Sequence, residues 1–374
     1  MPHASALLDL LRDRPAARIA GPQEAPFLLA AGPVPDEYAA AREGCAIFDQ
    51  SASETLVASG AEAAAFLHRL LANDVKAQPE GERRENLLLS AKGKVRFQLA
   101  LERRGDELRL AVATGQGKAL RDALEMYHFS ESVAFATDEC CARLELCGPR
   151  AVEVLRCAGL VAPEAGSRRV VAGAISARGS APIPCHLADA LVAGSRGFVL
   201  ELPRAACAQA LPVLESAGAL LAGRAARDIL RVEGCHAEAP FDVDEGVYPQ
   251  EARLERAFAL DKGCYIGQEV VAKIDTYGGL NKRLVPLRIS HDEPLPRGTK
   301  LLKEEDGELR ELGVVTSWSY SFVLDTGLAL AFVKRRHQAP GGKFALEGGG
   351  EALVVEAPVR SDAVKPGGEF EARA

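Results

Sequence analysis

No apolar run in this 374-residue chain comes near the ~20 residues that a membrane-spanning helix needs, so no contact with a membrane is expected. Leu7, Leu8, Leu10 and Leu11 are interrupted by Asp9, Arg12 and Asp13, and no signal-peptide core is expected from them. Nine cysteines are present without a single C-x-x-C spacing, which argues against a zinc site, a chain-held iron–sulfur cluster or any stable metal site. Their scatter through apolar segments fits a reducing compartment, and a cytoplasmic protein is expected. A net charge of −7 leaves no broad positive footprint, so direct nucleic-acid binding is not expected either. No internal repeat or low-complexity linker interrupts the chain.

What is present is ordinary for a soluble globular protein, with 48% hydrophobic and 26% charged residues. The length allows two or three domains, each with its own core. Strand-like and helix-like periods alternate from Tyr38 onward. Thr55–Ala58, Leu87–Leu89, Val95–Leu101 and Leu108–Ala113 read as strands. Glu62–Leu71, Lys118–Met126, Ala151–Cys157 and Arg204–Ala217 read as helices. After Arg283 short strands recur at Leu284–Ile289, Val314–Trp318, Leu328–Val333 and Ala352–Val355, separated by Gly and Pro, as in a small barrel. The fold class expected is α+β, with an α+β region over residues 1–283 and a β-barrel over 284–374.

The stretch with most chemical content is Lys262-Gly263-Cys264-Tyr265-Ile266-Gly267-Gln268-Glu269. Val270, Val271 and Ile274 follow at helical spacing, so Cys264 lies just before a helix N-terminus with Lys262 two residues away. Free N–H groups and an ammonium both favour a thiolate. The alternative is a half-buried cysteine in a turn.

This octet resembles the defining motif of the YgfZ-type folate-binding proteins, relatives of the glycine-cleavage T-protein (aminomethyltransferase) whose mitochondrial counterparts take part in iron–sulfur assembly. Phe48-Asp49-Gln50-Ser51 is similar to the family's N-terminal region. Ala225-Ala226-Arg227-Asp228-Ile229-Leu230-Arg231-Val232-Glu233-Gly234 is similar to its A-R-D-x-L-R-x-E segment, and Gly313-Val314-Val315-Thr316-Ser317 to a strand of its barrel. The resemblance implies two α+β modules around a central folate channel, a terminal β-barrel, and tetrahydrofolate or a derivative as the cofactor. Arg231 and Glu233 are candidates for the channel wall by their place in the shared segment, or else members of a buried ion-pair network.

Departures from the resemblance bear on activity. Aminomethyltransferases carry an acidic pair where Arg96 and Phe97 stand here, and an arginine cannot accept a proton in a carboxylate's place. Their acidic T-G-E-x-G segment is replaced by Gly194-Ser195-Arg196-Gly197-Phe198. Lys92, Lys94 and Arg96 would share a face if they alternate on a strand, either attracting an anion or facing solvent. Arg83-Arg84 reads as a solubilising cluster. The leading expectation is a tetrahydrofolate-binding factor that maintains iron–sulfur enzymes, with Cys264 as a redox or transient-ligand thiol, iron–sulfur enzymes or assembly proteins as partners and an indirect effect on tRNA thiolation. A one-carbon transferase of aminomethyltransferase type and a folate-independent scaffold stay open beside it.

Overall fold

Phe97, Leu99 and Leu101 are buried at every second position of the strand Val95–Arg104, the period-two signature of a sheet with one face in a core. In the computed structural model, which describes residues 4–176 and 181–359, that strand belongs to a five-stranded sheet. Its order is Arg83–Leu89, Val95–Arg104, Glu107–Val112, Glu54–Ser59 and Ala134–Thr137. Helix Ala63–Leu70 buries Ala63, Phe66, Leu67 and Leu70, one stripe at i, i+3, i+4 and i+7, in the core that this sheet shares with helix Gly117–Glu125.

A six-stranded sheet follows, in the order Val170–Ile175, Ile183–Val192, Ser195–Pro203, Cys141–Cys147, Ala46–Asp49 and Leu220–Ala222. Its pairs are antiparallel except the last, which is parallel. Helices Ala151–Cys157 and Cys207–Ser216 bury Val154, Leu155, Leu211 and Leu214 with Leu144, Leu146, Leu200 and Leu202. Cys45, Cys147, Cys185 and Cys207 are buried, and burial pushes the Cys45 and Cys207 thiols up to about 12, so they pack as small apolar groups.

These two sheets are tied by buried charge. Glu201, 5% exposed, accepts from Arg143 Nε at 2.8 Å and from Arg104 Nη2 at 2.9 Å. Arg143 also donates to Ser53 Oγ at 2.7 Å and to the Thr55 hydroxyl. Burial alone would raise the Glu201 carboxyl, but the three guanidinium groups of Arg143, Arg83 and Arg104 hold it well below the usual carboxylate range.

The barrel is closed by six strands in the order Lys282–Ile289, Thr326–Lys334, Glu308–Ser321, Lys300–Glu305, Lys343–Leu346 and Glu351–Val354. Two of these, Lys300–Glu305 and Lys343–Leu346, are not expected from sequence: the first carries only two apolar residues, side by side, and the second, though Phe344 and Leu346 alternate, is only four residues long. The chain divides into two compact units that are discontinuous in sequence. One holds both sheets and comprises Met1–Leu89, Phe97–Arg227 and Arg256–Ile266. The other holds the barrel and comprises Ser90–Arg96, Asp228–Glu255 and Gly267–Ala374.

Replacing Glu201 by Gln leaves Arg143 buried without its counter-charge. We expect a loss of about 3–5 kcal/mol in urea unfolding. A loss below ~1 kcal/mol would show that the sheets are not held by this carboxylate.

Candidate functional site

The unit with the two sheets contains a cavity of about 540 Å³, within the rough 300–1,000 Å³ of small-molecule sites. Arg83, Glu85 and Ala100 reach it from the five-stranded sheet. Glu145, Asp189, Arg196 and Val199 reach it from the other, with Arg168 and Arg256 also in its wall. Two of its carboxylates are already engaged. Glu145 accepts from Arg227 Nε at 2.8 Å, and Asp189 from the Gly166 and Arg168 backbone N–H groups at 2.9 and 3.3 Å. Arg83 and Glu85, both half-buried, have no side-chain hydrogen bond or ion pair among the described residues. Burial pushes the Arg83 guanidinium below its usual pKa, and nearby Arg143 adds to this. Arg83 is therefore no solubilising residue. Its neighbour Arg84 is bound to Glu82 at 2.8 and 2.9 Å, while Arg83 faces the cavity.

Lys262, Gly263, Cys264 and Tyr265 lie in this same unit. Cys264 is exposed and is not part of the cavity wall. Gly263 is left-handed, with φ +95. Lys262 has partners of its own in helix Ala63–Leu70 and in the octet. It is buried, donates through Nζ to the His68 carbonyl and stands 5.0 Å from the centre of the Tyr265 ring. In return His68 Nε2 donates to the Lys262 carbonyl at 2.8 Å, so helix Ala63–Leu70 and the octet are clasped by a reciprocal pair. Burial lowers the Lys262 pKa to about 8. Tyr265 is buried with an unpartnered hydroxyl, and burial raises it to about 12.

Gly267, Gln268 and Glu269 belong to the barrel unit, where helix Gln268–Tyr277 begins. Gly267 has φ +81, and a Cβ there would stand 2.5 Å from the Ser90 carbonyl oxygen and 2.9 Å from Gly93 Cα. Only glycine allows the helix start to meet the 90–93 turn this closely. Glu269 is exposed, 3.8 Å from Lys273.

Arg231 and Glu233, candidates for a channel wall or for a buried ion-pair network, do not line this cavity. Arg231 binds buried Asp242, donates to Ser317 Oγ at 2.9 Å and reaches Asp228 at 3.3 Å. Glu233, 1% exposed, accepts from the Ser321 hydroxyl at 2.7 Å. Both are spent on a buried polar network of the barrel unit. Lys92, Lys94 and Arg96 do not form a strand face, because the strand begins only at Val95. Lys94 donates to the Gly246 carbonyl at 3.0 Å and covers the Tyr248 ring at 3.1 Å, and Arg96 lies 3.6 Å from Glu245. Phe97 is buried in the core of the five-stranded sheet. Among the described residues no group of three His, Cys, Asp or Glu is placed to hold a metal ion, and no helix is long and apolar enough to cross a membrane.

Comparison with known proteins identifies close company. The GCVT N-terminal domain family matches residues 30–262, and the glycine cleavage T-protein C-terminal barrel domain matches residues 282–370. An aminomethyltransferase of Chlorobium limicola is 27% identical over 320 residues, covering 83% of this chain and 86% of that relative. One from Saccharopolyspora erythraea is 28% identical over 328 residues, covering 86% and 87%. The crystal structure of glycine cleavage system aminomethyltransferase T from Bartonella henselae superposes with a TM-score of 0.82 at 23% identity, covering 96% of this chain and 99% of that one.

The depressed Lys262 sets a pH signature. Between about 8 and the ordinary value of 10.5 the unfolded chain holds a proton that the folded chain has lost, so stability rises with pH across that window. Lys262→Met should flatten this rise in urea titrations run from pH 7.5 to 9.5. An unchanged slope would show that the ammonium is not desolvated.

Proposed function

The chain belongs to the glycine cleavage T-protein family, and on that premise we propose that it binds a reduced folate, tetrahydrofolate or a derivative, in the cavity between Arg83, Glu85, Glu145 and Asp189. The observation that carries this reading is the cavity itself, with a volume suited to a pterin and its benzoyl arm. Its wall also offers a guanidinium and a carboxylate that make no side-chain hydrogen bond or ion pair among the described residues. Exposed Arg196 and Arg256 would face the carboxylates of the glutamyl end.

Two readings of what the bound folate is for are separated by chemistry. The relatives, named aminomethyltransferases, favour a one-carbon transferase of that type. The replacement of the family's acidic pair by Arg96 and Phe97 disfavours it, since neither residue accepts a proton. What supports the second reading, a folate-dependent factor for iron–sulfur enzymes, is the octet with its exposed Cys264. A lone thiolate would act there through redox exchange or as one ligand of a shared cluster.

Calorimetric titration with tetrahydrofolate is expected to show binding, and none at millimolar ligand would leave only a folate-independent scaffold. Turnover of an aminomethylated carrier protein with tetrahydrofolate selects the transferase. In the second reading, Cys264→Ser keeps its fold and folate affinity but fails to restore iron–sulfur enzyme activity in a strain lacking the factor. Full restoration by the serine form would remove the thiol from the mechanism.

A further inference from the structure

Arg83 and Glu85 occupy alternate positions of the strand Arg83–Leu89, so both side chains leave the same face, with their Cα atoms about 7 Å apart. Both line the cavity, and neither has a hydrogen-bond or ion-pair partner among the described residues. The engagement of Glu145 by Arg227, and of Asp189 by backbone N–H groups, leaves this pair as the half-buried recognition chemistry of the wall, beside the exposed Arg196 and Arg256. An arginine only donates and an ionised glutamate only accepts. A desolvated guanidinium left without an acceptor is costly, which makes the pair selective for a ligand that supplies both halves.

We propose that Arg83 and Glu85 are the specificity-determining pair of the cavity, reading the lactam edge of the pterin ring. This rests on the folate reading above and goes further by naming the edge that is read. That edge presents a carbonyl oxygen, O4, beside two donors, N3–H and the 2-amino group. Arg83 donates to O4, and Glu85 accepts from N3–H and the 2-amino group. The Arg83 guanidinium, near Glu201, Glu102 and Glu145 but without a contact ion pair among the described residues, repels a cationic ring. A 4-amino pteridine inverts the pattern: an amino donor replaces O4, N3 loses its hydrogen, and the ring protonates more readily. Arg83 then faces a donor in place of its acceptor, while Glu85 keeps the 2-amino group and loses N3–H.

The test compares tetrahydrofolate with its 4-amino-4-deoxy counterpart by calorimetry on the full chain, using wild type, Arg83→Met and Glu85→Gln. Wild type should prefer tetrahydrofolate by roughly 10- to 100-fold, the worth of one or two charge-assisted hydrogen bonds. Arg83→Met should lose most of that preference through weaker tetrahydrofolate binding, with the 4-amino ligand held equally well or better. If Arg83→Met does not fold, Arg83→Lys, which keeps the charge without the planar fork, should show a reduced preference. Equal affinity of wild type for the two ligands would overturn the assignment. So would a full preference in a folded Arg83 variant. Binding of neither ligand to wild type would overturn the folate reading instead, and this assignment with it.

Discussion

A buried carboxylate links the two sheets of the larger unit. Glu201 sits on the strand Ser195–Pro203 of one sheet and binds Arg104, on the strand Val95–Arg104 of the other, while Arg143 extends the joint to Ser53 and Thr55. Two guanidinium groups hydrogen-bonded to one desolvated acid are strongly directional, and the geometry has few alternatives once water is excluded. The cavity inherits its order from this joint, since its wall takes side chains from both sheets. Val199 lies two residues from Glu201 on the same strand, and Arg83 is near enough to help hold the Glu201 proton off. The group that fixes the architecture and the group that faces the ligand are thus electrically linked.

Regular elements with an apolar face were legible in the sequence. The helix over residues 63–70 and the strand over 95–104 follow from periods of 3.6 and 2, and the barrel follows from short strands punctuated by Gly and Pro. Polar strands were not legible. The segment Arg83–Glu85 extends an apolar run toward its N-terminus with three charged residues, and alternation among charges does not say which of them face inward. The ring of partners decides that, and it comes from residues far away in sequence. Arg231 was open between two readings, a ligand and a buried network. The acid it serves, Asp242, lies eleven positions downstream and also holds Thr316 and Ser317.

The octet emerges as two jobs laid end to end. Its first half is a clasp, in which Lys262 and His68 exchange hydrogen bonds with each other's carbonyls and Tyr265 fills the space beneath the ammonium. The second half is a contact that needs a missing side chain, where Gly267 meets the turn at Ser90–Gly93. Both glycines of the octet have positive φ, for different reasons: nothing lies within 4 Å of a Cβ built on Gly263, while one built on Gly267 runs into backbone. Cys264 stands exposed between these anchored neighbours, so its position is determined although it packs against little itself.

The interlacing of the two units bears on how the protein comes into being. The barrel unit draws on Ser90–Arg96 and Asp228–Glu255, and the sheet unit waits for Arg256–Ile266. On the ribosome, neither body can be completed when its first segment emerges, and the early turn at 90–96 must wait for its partners at residues 245–270. A gene fragment starting at the first barrel strand would encode a barrel stripped of three of its own pieces. Recombination between relatives at that boundary would separate segments that belong to one body, which makes this chain a poor substrate for domain shuffling.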